Sequence, residues 1–268
     1  MANTVYENYY LANEVEDQFN SHLDLLRFCT HDNTLEGTAG MKKMVNVYSA
    51  TDGTEKLAQG EGNSKSIEVS YTQKEYDILL AQNRFVWSDE EAMKDPMLVP
   101  VGMQHAGTDM FNTVQGDVFG EFKKASREVP ATAPNFDAFA DAVAALNIEG
   151  DENVEIFAFV NAKTKAAARK ALKDELKYVE AFARSGYIGT VCGVNLYDKK
   201  NADDKEICVG TRKAVTVFTK KGTEVEQIVA GTRGSDDANI RKNTAFSRKY
   251  YVAALTNDTQ AVRITLTA

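Results

Sequence analysis

Residues 51–65 read Thr-Asp-Gly-Thr-Glu-Lys-Leu-Ala-Gln-Gly-Glu-Gly-Asn-Ser-Lys, and Ser66-Ile-Glu-Val-Ser-Tyr-Thr-Gln-Lys-Glu-Tyr76 follows directly. The first part is polar and glycine-containing, the composition of a loop or turn. In the second, Ile67, Val69 and Tyr71 alternate with Glu68, Ser70 and Thr72. That period of two predicts a half-buried strand. The parity then flips to Tyr76, Ile78 and Leu80, which predicts a bulge or bend near Gln73 to Glu75. Upstream, Met44 to Ser49 is a short strand candidate. Together these pieces form a long two-stranded β-arm with a polar tip. About twelve extended residues reach roughly 40 Å at about 3.3 Å each. An isolated ribbon of this kind is marginal in water. It must either fold back on its own domain or lie on another molecule.

Outward from the arm the pattern is mixed. Toward the N-terminus, Val15, Phe19, Leu23 and Leu26 fall on one face of a helix, and a polar loop from His31 to Gly40 follows. This helix reads as an arm and not as a core element. Downstream, Asp95-Pro96 marks a boundary, and Leu98 to Arg127 is helical with Phe111, Val114, Val118 and Phe122 on one stripe. Gly107, Gly116 and Gly120 weaken it by about 1 kcal/mol each relative to alanine, so packing must hold it. Small residues at 116 and 120 would admit another backbone. Pro130 and Pro134 open a second region. There Phe136 to Leu146 is a short helix, Glu155 to Val160 a buried strand, and Ala162 to Ala183 a helix that Gly186 stops. Thr190 to Tyr197 and Ala214 to Phe218 read as strands, and Tyr250 to Leu266 as a terminal hairpin turned at Asn257-Asp258. The fold class is α+β.

Composition limits the function. The chain has 268 residues, 43% hydrophobic and 26% charged, enough to bury a core without staples. Its 31 basic and 39 acidic residues sum to −8, so it does not grip nucleic acid through a broad basic face. It could still line a container for nucleic acid. Cys29, Cys192 and Cys208 are odd in number and show no C-x-x-C spacing, which argues against a disulfide framework or zinc site. The sequence has no apolar run long enough to cross a membrane and no signal-peptide pattern, so a cytoplasm-like environment is expected.

Catalytic chemistry finds no foothold. Gly60-Glu-Gly62-Asn-Ser-Lys65 lacks the phosphate-loop spacing and precedes a strand, so it reads as a turn. Gly186-Tyr-Ile-Gly189 precedes its strand where a dinucleotide loop would follow one. His22, His31 and His105 do not pair at metal-ligand spacing. Cys192 and Cys208 sit in apolar strand contexts as inert small hydrophobes, whereas Cys29 near a helix end could be exposed. Asp89-Glu90-Glu91, Asp203-Asp204 and Asp236-Asp237 read as solvated turns and helix starts, and Trp87 as core. No catalytic, metal-ligating or cofactor-binding residue is assigned, and a structural protein is favoured over an enzyme.

Four stretches carry a family resemblance. The first is Tyr48 to Asn63 with Ser66 to Tyr76. The second is Phe85-Val-Trp-Ser-Asp-Glu-Glu91 with Asp95-Pro-Met-Leu-Val-Pro-Val-Gly102. The third is Gly222-Thr-Glu-Val-Glu-Gln227, and the fourth is Arg241-Lys-Asn243 with Arg248-Lys-Tyr-Tyr-Val-Ala-Ala-Leu255. In combination they resemble major capsid proteins of tailed phages, of the Hong Kong 97 type fold, in particular those of Firmicutes phages and prophages. The likeness runs over nearly the whole chain.

The resemblance implies an N-terminal arm (1–50), an E-loop (51–80), and a peripheral domain (81–134) with a spine helix at about 96–127. It implies an axial domain (135–221), a return through the peripheral domain (222–249), and terminal axial strands (250–268). It implies no enzymatic activity and no cofactor. The implied function is self-assembly as hexamers and pentamers into an icosahedral virion capsid around double-stranded DNA, in the bacterial host cytoplasm. The implied partners are sister copies, a portal at one vertex and a scaffolding or decoration protein, with no membrane. Inter-subunit contacts would come from Val15, Phe19, Leu23 and Leu26 of the arm. Others would come from Lys56, Glu61, Lys65, Ile67, Val69 and Tyr71 of the E-loop. Subunit crosslinking as in the family prototype would draw on Lys56, Lys65 or Lys74 with Asn239 or Asn243, though solvated lysines are the plainer reading. The competing implication is an encapsulin-like nanocompartment shell that holds enzyme cargo.

Overall fold

Two β-sheets and a projecting hairpin organise the chain. The computed structural model describes residues 23–148, 154–173, 189–200, 202–229 and 239–267. The elements run β1 (Thr30–Asp32), β2 (Lys42–Ala50), β3 (Val69–Asp77), β4 (Leu79–Ser88), α1 (Asp89–Lys94), α2 (Leu98–Phe122), β5 (Glu128–Ala131) and α3 (Phe136–Leu146). Then come β6 (Ile156–Val160), α4 (Ala162–Ala171), β7 (Thr190–Val191), β8 (Val194–Asp198), β9 (Glu206–Thr211), β10 (Val215–Ile228), β11 (Lys242–Leu255) and β12 (Ala261–Leu266).

The first sheet has the order β1-β10-β11-β4 and the second β5-β12-β9-β6-β8-β7. The strand period of two divides the second sheet's side chains between two cores. On one face Phe157, Phe159 and Cys208 meet Val118, Phe119 and Phe122 of α2. On the other, Ala158, Ile207, Val209 and Ile264 meet Phe139, Ala142 and Leu146 of α3. The helices start where side chains supply caps. Ser88 and Glu91 form a capping box at α1, Asn135 accepts from the Ala138 N–H at α3, and Asn161 accepts from the Thr164 N–H at α4. Helix α2 has no such cap, and its buried residues lie toward its C-terminal half, from Met110 to Phe122. Burial holds this glycine-bearing helix in place. Gly102 in its first part is required by a close approach: a Cβ there would sit 2.3 Å from the Phe85 ring.

Several expectations need correction. The β2–β3 ladder runs unbroken from Lys42↔Asp77 to Ala50↔Val69, so Gln73 to Glu75 carry no bulge. The parity changes instead at Ile78, which is buried between β3 and β4 and donates its N–H to the Met41 carbonyl at 2.8 Å. The Leu23–Leu26 end of the apolar stripe is not α-helical. A single 3-10 turn, Leu26–Phe28, stands there, and it buries Leu25, Phe28 and Cys29 in the subunit's own core. The long helix stops at Phe122, short of Arg127. Thr190 to Tyr197 is two strands with a turn at Cys192-Gly193, both at positive φ.

Tyr250 to Leu266 is not a hairpin. Strand β11 pairs with β10 and β4, whereas β12 pairs with β5 and β9 in the other sheet. Likewise Val215 to Phe218 belongs to the four-stranded sheet, as the start of the 14-residue β10. Val15, Phe19, His22, Gly186 and Asp236-Asp237 lie outside the described residues.

Candidate assembly surfaces

The hairpin of β2 and β3 is anchored at its base. Lys43 forms an ion pair with Asp32 at 2.9 Å, and Lys42 bridges Glu75 and Asp77 at 3.3 and 3.4 Å. Hydrogen bonds to Glu75 and then Asp77 raise the Lys42 ammonium above its ordinary pKa. Tyr76 stacks on Phe218 of the four-stranded sheet with centroids 5.5 Å apart. Beyond this base, among the described residues, each hairpin strand pairs only with the other.

The register assigns the faces, because directly opposed residues share one side. Met44, Tyr48 and Ala50 stand on one face with Glu75, Tyr71 and Val69 opposite them. The Tyr48 and Tyr71 rings lie 6.0 Å apart, and each residue is 66% exposed. The other face carries Val45, Val47 and Thr72, with Ser49 and Ser70 hydrogen-bonded at 2.7 Å. The tip is ordered from within. Glu55 accepts from both the N–H and hydroxyl of Ser64 at 2.8 Å, and Asn63 donates to the Gly53 carbonyl at 3.0 Å. Gly60 takes φ +93°, a turn conformation natural to glycine.

The residues expected to make E-loop contacts are therefore carried on one projecting element, and their contact with another copy is a proposal. Ile67, Val69 and Tyr71 are exposed within the subunit, where the alternation led us to expect half-burial. Lys56 and Glu61 are exposed, and Lys65 lies 4.0 Å from Glu55. Leu23 and Leu26 pack against the subunit's own core. Of the crosslink candidates, Asn239 is exposed, but Asn243 is buried and donates to Asp89 at 2.6 Å. Among the described residues, no backbone lies against Gly116 or Gly120. With Leu79, Leu80 and Tyr251 they line a cleft of about 460 Å³.

Sequence reasoning missed Tyr48 and Gln115. Gln115 is buried in α2 and uses both ends of its amide: Oε1 accepts from the Leu25 N–H at 2.5 Å, and Nε2 donates to Asp24 at 2.9 Å. It bolts the N-terminal segment to the long helix. No local signal marks a lone glutamine for such a task.

No catalytic constellation emerges among the described residues. Among the described residues, no group of three or more His, Cys, Asp or Glu is placed to hold a metal ion, and no helix is long and apolar enough to cross a membrane. Asp89 to Glu91 form the first turn of α1, and Asp204 pairs with Lys163 at 2.7 Å. Trp87 is buried and stacked on Phe85 at 5.1 Å. Cys29 is buried, contrary to the expectation of exposure. Burial pushes the thiols of Cys29 and Cys208 up to about 12, and both stay protonated and unreactive at neutral pH. A thiol reagent at pH 8 is therefore expected to modify half-buried Cys192 alone, and Cys29 and Cys208 only on unfolding. Rapid labelling of all three in the native protein would contradict their burial.

No family model matches the sequence, and no curated protein matches it. Solved structures do. A Gordonia phage Cozz structure aligns over 100% of this chain and 92% of its own, at TM-score 0.71 and 10% identity. The mature capsid of bacteriophage PhiM1 aligns over 90% and 86%, at TM-score 0.71 and 12% identity. The chain has a phage capsid fold, of the Hong Kong 97 type. A virus-like particle from Pyrococcus furiosus aligns over 90% and 92%, with a lower TM-score of 0.57 at 15% identity. The finer likeness to phages of Firmicutes rests on the sequence alone.

Proposed function

We propose that this chain is a tailed-phage major capsid protein. It assembles as hexamers and pentamers into an icosahedral shell that encloses double-stranded DNA. The observation that carries this reading is the hairpin's Tyr48, Val69 and Tyr71 face, apolar and unpartnered within the described subunit. A marginal ribbon with such a face becomes stable by lying on a sister copy. Residues 1–22, with Val15 and Phe19, would extend the same principle from the N-terminal side. Heterologous contacts of this kind close into rings. Their individual weakness lets misplaced subunits leave during growth, and their number holds the finished shell.

A portal at one vertex and a scaffolding or decoration protein complete the reading, with assembly in the host cytoplasm. The net charge of −8 would keep the shell wall from adhering strongly to the packed genome. Negative-stain microscopy of the overexpressed protein tests the proposal. Uniform closed shells are expected, and a monomer that stays soluble at high concentration, or open tubes, would overturn it.

A further inference from the structure

A second cleft, of about 370 Å³, lies where the N-terminal segment, the start of β6 and the β9–β10 loop meet. Phe28 and Phe157 contribute apolar rings to its lining, and Arg27, Arg212 and Lys213 stand around it as exposed cations. Both guanidinium groups are held in place. That of Arg27 stacks 4.6 Å from the Phe28 ring and 5.1 Å from Tyr197. Arg212 donates its Nε–H to the Cys29 carbonyl at 3.1 Å, which leaves its outer nitrogens for a ligand. The carboxylate in the cleft, Glu155, already accepts from Tyr197 at 2.9 Å and Asn195 at 3.0 Å. Among the described residues, in a chain of net charge −8, this is a local excess of positive charge above two buried rings. Such a site fits a peptide segment that carries several carboxylates.

The same chain displays that peptide. The hairpin tip carries Asp52, Glu55, Glu61 and Glu68 against two lysines, Lys56 and Lys65. Leu57 stands exposed among them. Nine ladder residues in each strand extend the tip roughly 30 Å beyond the base at about 3.3 Å each, far enough to reach an adjoining molecule. We propose that the Arg27–Arg212–Lys213 cleft receives the acidic, leucine-bearing hairpin tip of a second copy. The cations meet Glu61 and Glu68, and the charge match sets which neighbour is engaged and in what register. This inference rests on the shell reading and adds a defined receptor to it.

Charge reversal tests the pairing. Arg212→Glu with Lys213→Glu, and separately Glu61→Lys with Glu68→Lys, are each expected to raise the protein concentration needed for shell formation roughly tenfold or more, as like charges meet. The two pairs combined in one chain are expected to restore assembly to near the wild-type threshold. Monomer melting curves confirm that each variant folds, and Lys213→Glu alone serves if the double change does not. The pairing fails if either reversed pair assembles like wild type, or if the combination restores nothing. If the Arg212→Glu, Lys213→Glu protein assembles normally but loses affinity for a short duplex DNA, the pairing is also overturned and the cleft is a phosphodiester site. Absence of shells from the wild-type chain would instead defeat the shell reading itself.

Discussion

Removal of residues 1–30 is expected to unfold the subunit, whereas removal of residues 1–22 leaves it folded but unable to close a shell. The difference lies in the eight residues 23–30. Leu25 and Cys29 are fully buried. Phe28 lies 4.7 Å from Phe157, 5.4 Å from Phe159 and 4.6 Å from Tyr197 between ring centroids. Truncating one such phenylalanine costs about 3–5 kcal/mol, and a buried leucine about 2–5 kcal/mol. Loss of Leu25 would also leave the buried Gln115 carbonyl without its N–H donor, a further penalty of about 1–3 kcal/mol. The parallel β1–β10 pairing at Thr30 goes as well. Together these losses rival the whole stability of a domain, about 5–15 kcal/mol. Circular dichroism melts and urea titrations of both truncations measure this directly. A cooperative, wild-type-like transition in the chain starting at residue 31 would refute the account. The chain starting at residue 23 should melt within a few degrees of the parent, and normal shells from it would remove Val15 and Phe19 from the assembly proposal.

The contrast shows where the sequence is legible. Val15, Phe19, Leu23 and Leu26 form a clean helical stripe on paper, yet the residues that anchor the subunit are Leu25, Phe28 and Cys29. Periodicity ranks positions by local repetition, and a three-residue turn is too short to repeat. The β-arm was legible because its ladder is local: both strands alternate, and the polar tip between them says they return. Its bend was misplaced by a few residues because a change of parity reports that a face switches, without saying whether a bulge or a chain break does it. Here it is Ile78, left out of both strands and buried.

Sheet membership was the least accessible property. Leu255 and Ala261 are separated by a short turn, and hairpin pairing is the natural local inference. Their partners are Val215 in one sheet and Gly210 in the other. Such long-range choices are made by which core each strand completes, Tyr251 and Ala253 against α2 and Val262 and Ile264 against α3. No window along the chain contains that information. The assembly surface was half legible for the same reason. Val69 and Tyr71 were visible as an apolar row, but Tyr48 gained its meaning only when the register set it opposite Tyr71.

Replacing both rings, Tyr48→Ser with Tyr71→Ser, is expected to abolish shell formation at ordinary working concentrations and to leave the monomer as stable as before. Within the subunit the two rings face each other and solvent, so little folding energy is at stake. A cross-strand aromatic pair contributes only about 0.2–1 kcal/mol to the hairpin. In a shell, by contrast, each ring would be buried against a neighbour, a gain of about 1.5–3 kcal/mol per side chain. Loss of about 4 kcal/mol per arm, at about 1.4 kcal/mol per decade, raises the critical assembly concentration on the order of a thousandfold. In the proposed shell every subunit would both donate and receive an arm, so the deficit would recur at each contact with no neighbour to compensate for it. Light scattering against protein concentration, with sedimentation to separate shells from free subunits, measures the threshold. The conservative Tyr48→Phe with Tyr71→Phe protein should assemble close to the wild-type threshold, because the apolar area is kept and no hydroxyl contact is required. If the serine variant assembles like the parent, the hairpin face is not what binds the subunits together. If the phenylalanine variant fails while its monomer melts normally, the hydroxyl groups, and not the buried area, carry the contact.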